Sequence, residues 1–209
     1  MDNKKLRERL ESVLAGEHDH DFDEVLQSLH CMSRGRVYAV INAVVSCMDP
    51  GELYVEVGTY QGGSLISALL GNTSRAIGVD SFGEFQETNN FQQTLGNLQK
   101  FQVADCFLFN IMSYQEFFAT VPPDFKIDVY YYDGEHNFPG QLAGMEAAWQ
   151  YLHSGSYILV DDYVYPEVNK AVNQFVANHI DRVQFQFVVC PMSGLDDIYW
   201  NGILVMKVL

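Results

Sequence analysis

From Leu53 onward the chain alternates short β-rich apolar runs with helical stretches, and that alternation restricts its fold more than any other feature. The runs are Leu53 to Val57, Ala76 to Val79, Cys106 to Ile111, Asp128 to Tyr132 and Tyr157 to Val160. Helical periodicity occupies Ser64 to Leu70, Phe91 to Lys100, Tyr114 to Ala119, Pro139 to Leu152 and Pro166 to Asn178. Strands and helices taken in turn require an α/β fold, a parallel sheet with right-handed crossovers. Gln184 to Cys190 and Ile203 to Val208 have only a loop between them, which predicts an antiparallel hairpin at one edge. Upstream, Leu6, Leu10, Val13 and Leu14 share one helical face, and Phe22, Val25, Leu26 and Leu29 share another. A third, apolar helix covers about Arg36 to Met48 and stops at Asp49-Pro50-Gly51.

At 209 residues, with 48% hydrophobic and 19% charged content, the chain is expected to form one domain with a sizeable core. Residues 1–49 are read as helices of that domain that form a cap, a lid or a dimer contact, and 50–209 as its main body. No run of about eighteen apolar residues occurs and the start is polar, so a soluble cytoplasmic protein with no membrane partner is expected. A formal charge of −15, with twelve scattered Lys and Arg, disfavours a nucleic-acid partner. Cys31, Cys47, Cys106 and Cys190 are too widely spaced for a zinc site and read as buried free thiols. The acidic tract Glu17 to Asp21 reads as a solvated interhelix loop, with Asp21 and Glu24 placed for a capping box. His30, His153 and His179 fall on expected helices and join no cluster.

Leu53-Tyr-Val-Glu56-Val-Gly58-Thr-Tyr-Gln-Gly62-Gly63-Ser64 reads as strand, glycine turn and helix start. The Gly-x-x-x-Gly-Gly spacing differs from the Gly-x-Gly-x-x-Gly that seats a pyrophosphate on a helix N-terminus. Gly58 permits close backbone approach, and Glu56 offers a carboxylate suited to an ammonium rather than a phosphate. The next strand ends at Asp80, where such folds hydrogen-bond ribose hydroxyls. Amine, ribose and adenine together describe one ligand, and these parts resemble the donor site of class I S-adenosylmethionine-dependent methyltransferases.

Two further strands end in acids, Asp133-Gly-Glu-His136 and Asp161-Asp162-Tyr163. Oxygen ligands at the carboxyl ends of parallel strands suit magnesium or manganese. Together with Gly78-Val-Asp80-Ser81-Phe82, over about Leu53 to Tyr163, these segments look like the macrocin-type (type 24) O-methyltransferases. The resemblance implies a Rossmann-like seven-stranded mixed sheet in the order 3-2-1-4-5-7-6, its last strand pair antiparallel. It implies Asp133, Asp161 and Asp162 as Mg2+ or Mn2+ ligands, and His136 with Asp133 as catalytic residues, His136 as general base. Glu56, Gly58, Thr59, Tyr60, Gly62, Gly63, Ser64, Asp80, Ser81, Phe82, Ser113 and Asp133 would line the donor, S-adenosylmethionine. The implied activity is metal-assisted methyl transfer to a hydroxyl of a small molecule (sugar, polyketide-type or phenol).

The third strand runs into Asn110, Met112 and Ser113, where relatives often carry glycine, so the adenine contacts are candidates by position only. Phe82, Phe85, Tyr163, Tyr165, Tyr199 and Trp200 are candidate walls for the acceptor. Two other readings stay open: a metal-dependent hydrolase or hydroxylase-like relative, and a non-enzymatic S-adenosylmethionine binder.

Overall fold

Every residue of β1 (Leu53–Val57) is buried, as a strand covered by helices on both faces must be. The computed structural model describes residues 1, 3–17, 20, 22–83, 89–103, 107–189 and 201–209, with the backbone alone at 107–110. In it β1 lies between β2 (Arg75–Asp80) and β4 (Ile127–Tyr132). Beyond β2 lies β3 (Phe107–Ile111), and beyond β4 lie β5 (Leu152–Asp161), β7 (Ile203–Val208) and β6 (Val183–Val189). The sheet is therefore seven-stranded in the order β3-β2-β1-β4-β5-β7-β6. All pairings are parallel except those of β7, which runs antiparallel to both β5 and β6.

The two-residue period of the strands sorts the core into two layers. Tyr54, Val129, Tyr131, Tyr157 and Leu159 face α1 (Asn3–Ala15), α2 (Phe22–Ser28), α3 (Gly35–Val45), α4 (Gly63–Leu69) and α5 (Asn90–Lys100). Val55, Val57, Tyr130, Tyr132, Ile158 and Val160 face α6 (Tyr114–Thr120), α7 (Phe138–Trp149) and α8 (Pro166–Asn178). Burying one Leu or Ile in either layer contributes roughly 1.5–3 kcal/mol.

Register then positions the site. Val57 lies opposite Val79 on one side and Tyr132 on the other, and Tyr132 lies opposite Val160. One residue further on, Gly58, Asp80, Asp133 and Asp161 leave the sheet side by side. The chain reverses its direction of strand addition between β1 and β4, which is where open α/β sheets form their ligand crevice.

β5 starts at Leu152 rather than Tyr157, because Ile127 pairs with Leu152 while Val129 already pairs with Tyr157. The surplus residues bulge at Gly155, whose φ is +98°. Ser156 Oγ closes the bulge, accepting from His153 N at 3.0 Å and donating to Ile127 O at 2.7 Å. His153 thus sits in a bulge and not on a helix, its Nε2 2.9 Å from Asp128 Oδ1. His30 likewise follows α2 in a loop, and His179 forms the C-cap of α8. Cys47 is a buried free thiol and Cys31 a partly buried one; Cys106, Cys190 and Asp21 lie outside the described residues. No described helix is long and apolar enough to cross a membrane.

Candidate methyl-transfer site

The glycine turn is fixed by how closely two strand ends meet. A Cβ on Gly58 would stand 1.9 Å from the Asp133 carbonyl oxygen, and Gly58 has φ +88°, so both space and backbone demand glycine. Gly58 N donates to Val79 O at 3.0 Å and Asp133 N to Val57 O at 2.9 Å, tying β1, β2 and β4 at this level. From α5, Thr94 Oγ1 donates to Tyr60 O at 2.6 Å and Asn97 Nδ2 to Gln61 O at 2.9 Å. These bonds hold Tyr60 at φ +50°, a left-handed conformation that costs a non-glycine residue roughly 1–2 kcal/mol. Gly62, at φ +88°, opens α4, and a Cβ on Gly63 would strike Tyr38 Oη at 2.3 Å.

Asp80 binds this turn to β2. Its Oδ2 accepts from Thr59 N at 3.0 Å and Tyr60 N at 2.8 Å, and its Oδ1 from Phe82 N at 2.7 Å. Glu56 lies beneath the turn, fully buried, and lines neither hollow described below. Tyr54 Oη donates to its Oε2 at 2.7 Å, whereas among the described residues Oε1 and the nearby Thr59 Oγ1 make no well-formed hydrogen bond. Burial pushes the Glu56 carboxyl up to about 8; the hydroxyls of Tyr54, Ser64 and Thr59 soften the rise.

Above the strand ends opens a cavity of about 550 Å³, a size that suits a small molecule. Gly58, Tyr60, Asp80, Ser81, Phe82 and Ser113 line one part, and Asp133, His136, Asp161, Asp162, Tyr165 and Asn201 another. A smaller hollow of about 40 Å³ lies between the loop His30 to Ser33, Tyr38 and the turn, touching Thr59, Gly63 and Ser64. The loop is latched by His30 Nδ1, 2.9 Å from Tyr60 Oη.

Asp133 and Asp162 converge on His136. Its Nε2 lies 3.3 Å from Asp133 Oδ1 and 3.1 Å from Asp162 Oδ2, and one donor atom from each of the three falls within 4.8 Å of the others. Asp162 reaches this position by turning off β5 at φ +54°, held by Asn201 Nδ2 on its Oδ1 at 2.7 Å. Asp161, expected as a third ligand, does not join the group: its Oδ2 accepts from Tyr131 Oη at 2.8 Å and its Oδ1 from Asp162 N at 3.0 Å. Burial, then the Asp133 and Asp162 charges, raise the Asp161 carboxyl well above the usual range; burial and Asp133 also raise Asp162. The Asp133 hydrogen bond, with the other aspartates, lifts His136 to about 9, so the unliganded imidazole is protonated at neutral pH.

A pH dependence follows. Glu56 is raised from 4.5 to about 8, so its contribution to stability is complete below 4.5 and is lost as pH rises through 8. His136, raised from 6.5 to about 9, contributes fully below 6.5 and loses that as pH rises through 9. The two share a sign, and the ligand-free protein is expected to lose stability toward alkaline pH. Glu56→Gln removes the Glu56 share, worth up to about 1.4 kcal/mol per pH unit. Calorimetric melting at pH 5 and pH 8 checks this: the variant's midpoint is expected to fall less than the wild type's, and parallel falls would contradict it.

The structure places the expected residues unevenly. Phe82 and Tyr165 line the cavity, the Tyr165 ring parallel to His136 at 7° and 6.2 Å between centroids, while Tyr163 packs in the α7–α8 layer. Phe85, Tyr199 and Trp200 lie outside the described residues, as does the Asn110 side chain. Met112 lines the cavity; Ser113 does too, but its hydroxyl caps α6 in a capping box with Glu116. The sequence reading missed Tyr131, two residues before Asp133 on the same strand face, a period-2 signal that was available. It also missed Asn201, which no local pattern marks.

Comparison with known proteins agrees with this geometry. A family model described as a methyltransferase domain matches residues 55–163, more than half of the chain. An uncharacterized protein of Acanthamoeba polyphaga mimivirus is 28% identical over 163 residues, covering 71% of this chain and 72% of that protein. The O-methyltransferase TomG of Streptomyces achromogenes, in complex with S-adenosylmethionine, superposes with a TM-score of 0.60 at 14% identity, over 100% of this chain and 91% of that one. An O-methyltransferase of Bacillus cereus, in complex with S-adenosylhomocysteine, gives 0.57 at 15% identity, over 100% and 92%. At such identities the two structures speak for the fold. The extent of the family match, on this sheet order and this glycine turn, places the chain in the methyltransferase-domain family, as a class I S-adenosylmethionine-dependent methyltransferase.

Proposed function

We propose that the protein transfers the methyl group of S-adenosylmethionine to a hydroxyl of a small molecule, assisted by a divalent cation. The observation that carries this reading is the convergence of Asp133, Asp162 and His136 in the cavity that the glycine turn also lines. TomG and the Bacillus cereus protein, described as O-methyltransferases, support it by fold.

The donor's ribose would hydrogen-bond Asp80 Oδ1, which keeps a lone pair beyond the one backbone amide it accepts, whereas Oδ2 already accepts two. Its amino-acid end would enter the small hollow above Gly63 and Ser64, and its ammonium would donate to Thr59 Oγ1, which makes no well-formed hydrogen bond among the described residues. The helices of residues 1–49 would cap that end, because His30, Cys31 and Met32 wall the hollow and α1–α3 share its core layer.

The carboxylates of Asp133 and Asp162, close together in the cavity, offer oxygen ligands that fit Mg2+ or Mn2+ and leave His136 Nε2 for the proton. Asp133 and Asp162 would hold such an ion, which would supply Lewis acidity toward an acceptor hydroxyl beside the methyl donor. Asp161, bonded to Tyr131, would back Asp133 electrostatically rather than contact the ion. Once Asp133 and Asp162 are engaged elsewhere, His136 Nε2 loses the support that keeps it protonated and can accept the hydroxyl proton. Radiolabelled methyl transfer to catechol-bearing acceptors tests the reading: turnover with Mg2+ or Mn2+ that stops on chelation supports it, and turnover indifferent to chelation overturns the metal's part.

A further inference from the structure

Asp162 leaves β5 at φ +54°, a left-handed conformation that needs support in any residue but glycine. The β5–β7 ladder supplies that support by continuing past its last registered pair, Asp161 opposite Ile203. Tyr163 N donates to Gly202 O at 3.3 Å and Val164 N to Asn201 O at 2.9 Å, and Tyr165 N closes the turn on Asp162 O at 2.9 Å. These bonds are all backbone. They place the Asp162 Cα but leave its carboxylate free to turn about its last torsion, which has broad minima in an aspartate.

Asn201 removes that freedom. Its Nδ2 donates to Asp162 Oδ1 at 2.7 Å, the one hydrogen bond its side chain makes among the described residues. An ionised carboxylate only accepts, so the amide nitrogen and not the amide oxygen faces Asp162. With Oδ1 engaged, Oδ2 is the oxygen turned inward: it lies 3.1 Å from His136 Nε2, which Asp133 Oδ1 approaches to 3.3 Å from the other side of the crevice. Asn201 also lines the cavity itself, at the point where the chain enters β7.

We infer that Asn201 is the positioning residue of the divalent-cation site, setting which Asp162 oxygen meets the ion without ligating the ion itself. The inference rests on the cation's part in the function proposed above. A hard divalent ion takes oxygen ligands, and the Asn201 atom that faces Asp162 is a nitrogen donor. A carboxylate already oriented by a partner has no torsional freedom left to lose when the ion binds, which is why partners of ligating carboxylates tune metal affinity. Asn201→Ala removes the amide and keeps every backbone bond of the turn.

Mn2+ affinity, read from the electron paramagnetic resonance of the free ion in protein saturated with S-adenosylhomocysteine, tests this in wild type, Asn201→Ala, Asp162→Ala and the double variant. Asn201→Ala is expected to weaken Mn2+ roughly tenfold. S-adenosylhomocysteine affinity should fall far less, because Asp80 and the glycine turn are untouched. On the Asp162→Ala background the same substitution should cost no more than about twofold, since a residue that acts through Asp162 has nothing left to act on. Mn2+ bound as tightly by Asn201→Ala as by wild type would overturn the inference. So would a full further loss in the double variant, the mark of an independent ligand, or an equal loss of S-adenosylhomocysteine affinity, the mark of a merely structural role. Wild-type protein that binds S-adenosylhomocysteine but no Mn2+ would overturn the cation's part in the proposed function as well, whereas the other three outcomes leave that reading standing.

Discussion

Asp133→Asn is expected to lower kcat/KM for methyl transfer by roughly a hundred- to a thousandfold, with the loss in kcat. Asparagine preserves the volume of the side chain and an oxygen near Tyr131 Oη, which lies 3.4 Å from Asp133 Oδ2, so the fold has little reason to change. What disappears is the charge that faces His136 Nε2 at 3.3 Å and contributes to the group of three donor atoms. The hydrogen bond that His136 Nε2 donates to Asp133 is also the largest cause of the raised His136 pKa, and its loss lowers that pKa in the free protein. Steady-state kinetics read the effect directly, with donor affinity expected to fall far less than kcat because Asp80 and the glycine turn are untouched. A kcat within about threefold of wild type would remove Asp133 from the chemistry.

Gly58→Ala is expected to destabilise the protein strongly, since a Cβ there meets the shortest contact found at the described glycines. The new Cβ would meet the Asp133 carbonyl at 1.9 Å, and that atom is backbone, held by the Asp133 N to Val57 O bond at 2.9 Å. Alanine at φ +88° adds left-handed strain of roughly 1–2 kcal/mol, and the overlap adds roughly 1–3 kcal/mol. A total near 3 kcal/mol would lower the melting temperature by roughly 6–12 °C in a chain of this size. Because relief requires β1 and β4 to part, donor affinity should fall in the same variant, which thermal melting with and without S-adenosylmethionine would reveal. An unchanged melting temperature would contradict the close approach.

The sheet was legible because the physics that builds it is local. The continuous β-prone run Asp128 to Tyr132 and helical spacing in Pro166 to Asn178 mark their elements from neighbouring residues alone. Gly58, Asp80, Asp133 and Asp161 were legible for the same reason: each directly follows a strand or ends one, and parallel register aligns them. The roles within the site were less legible, because they depend on long-range meetings. Asp162 takes its left-handed turn with Asn201 bonded to it from 39 positions away. Asp161 and Asp162 are adjacent in sequence, yet the turn sends one toward Tyr131 and the other toward His136. Glu56 was read as an open carboxylate at a strand end, whereas the turn closes over it and burial changes its charge. His153 was misplaced because nothing local distinguishes a helix end from a bulge closed by Ser156 and Ile127.

The central claim is that a divalent ion sits between the strand ends beside the methyl donor. Electron paramagnetic resonance of Mn2+, titrated with protein in the presence of S-adenosylmethionine, tests it most directly, since only free aqueous Mn2+ gives the sharp signal. The account predicts one Mn2+ bound per chain in the wild type, and in Asp162→Ala affinity weaker by roughly tenfold or more with donor binding retained. Wild-type protein that binds the donor but leaves the Mn2+ signal undiminished, or a variant that binds Mn2+ as tightly as wild type, would contradict it.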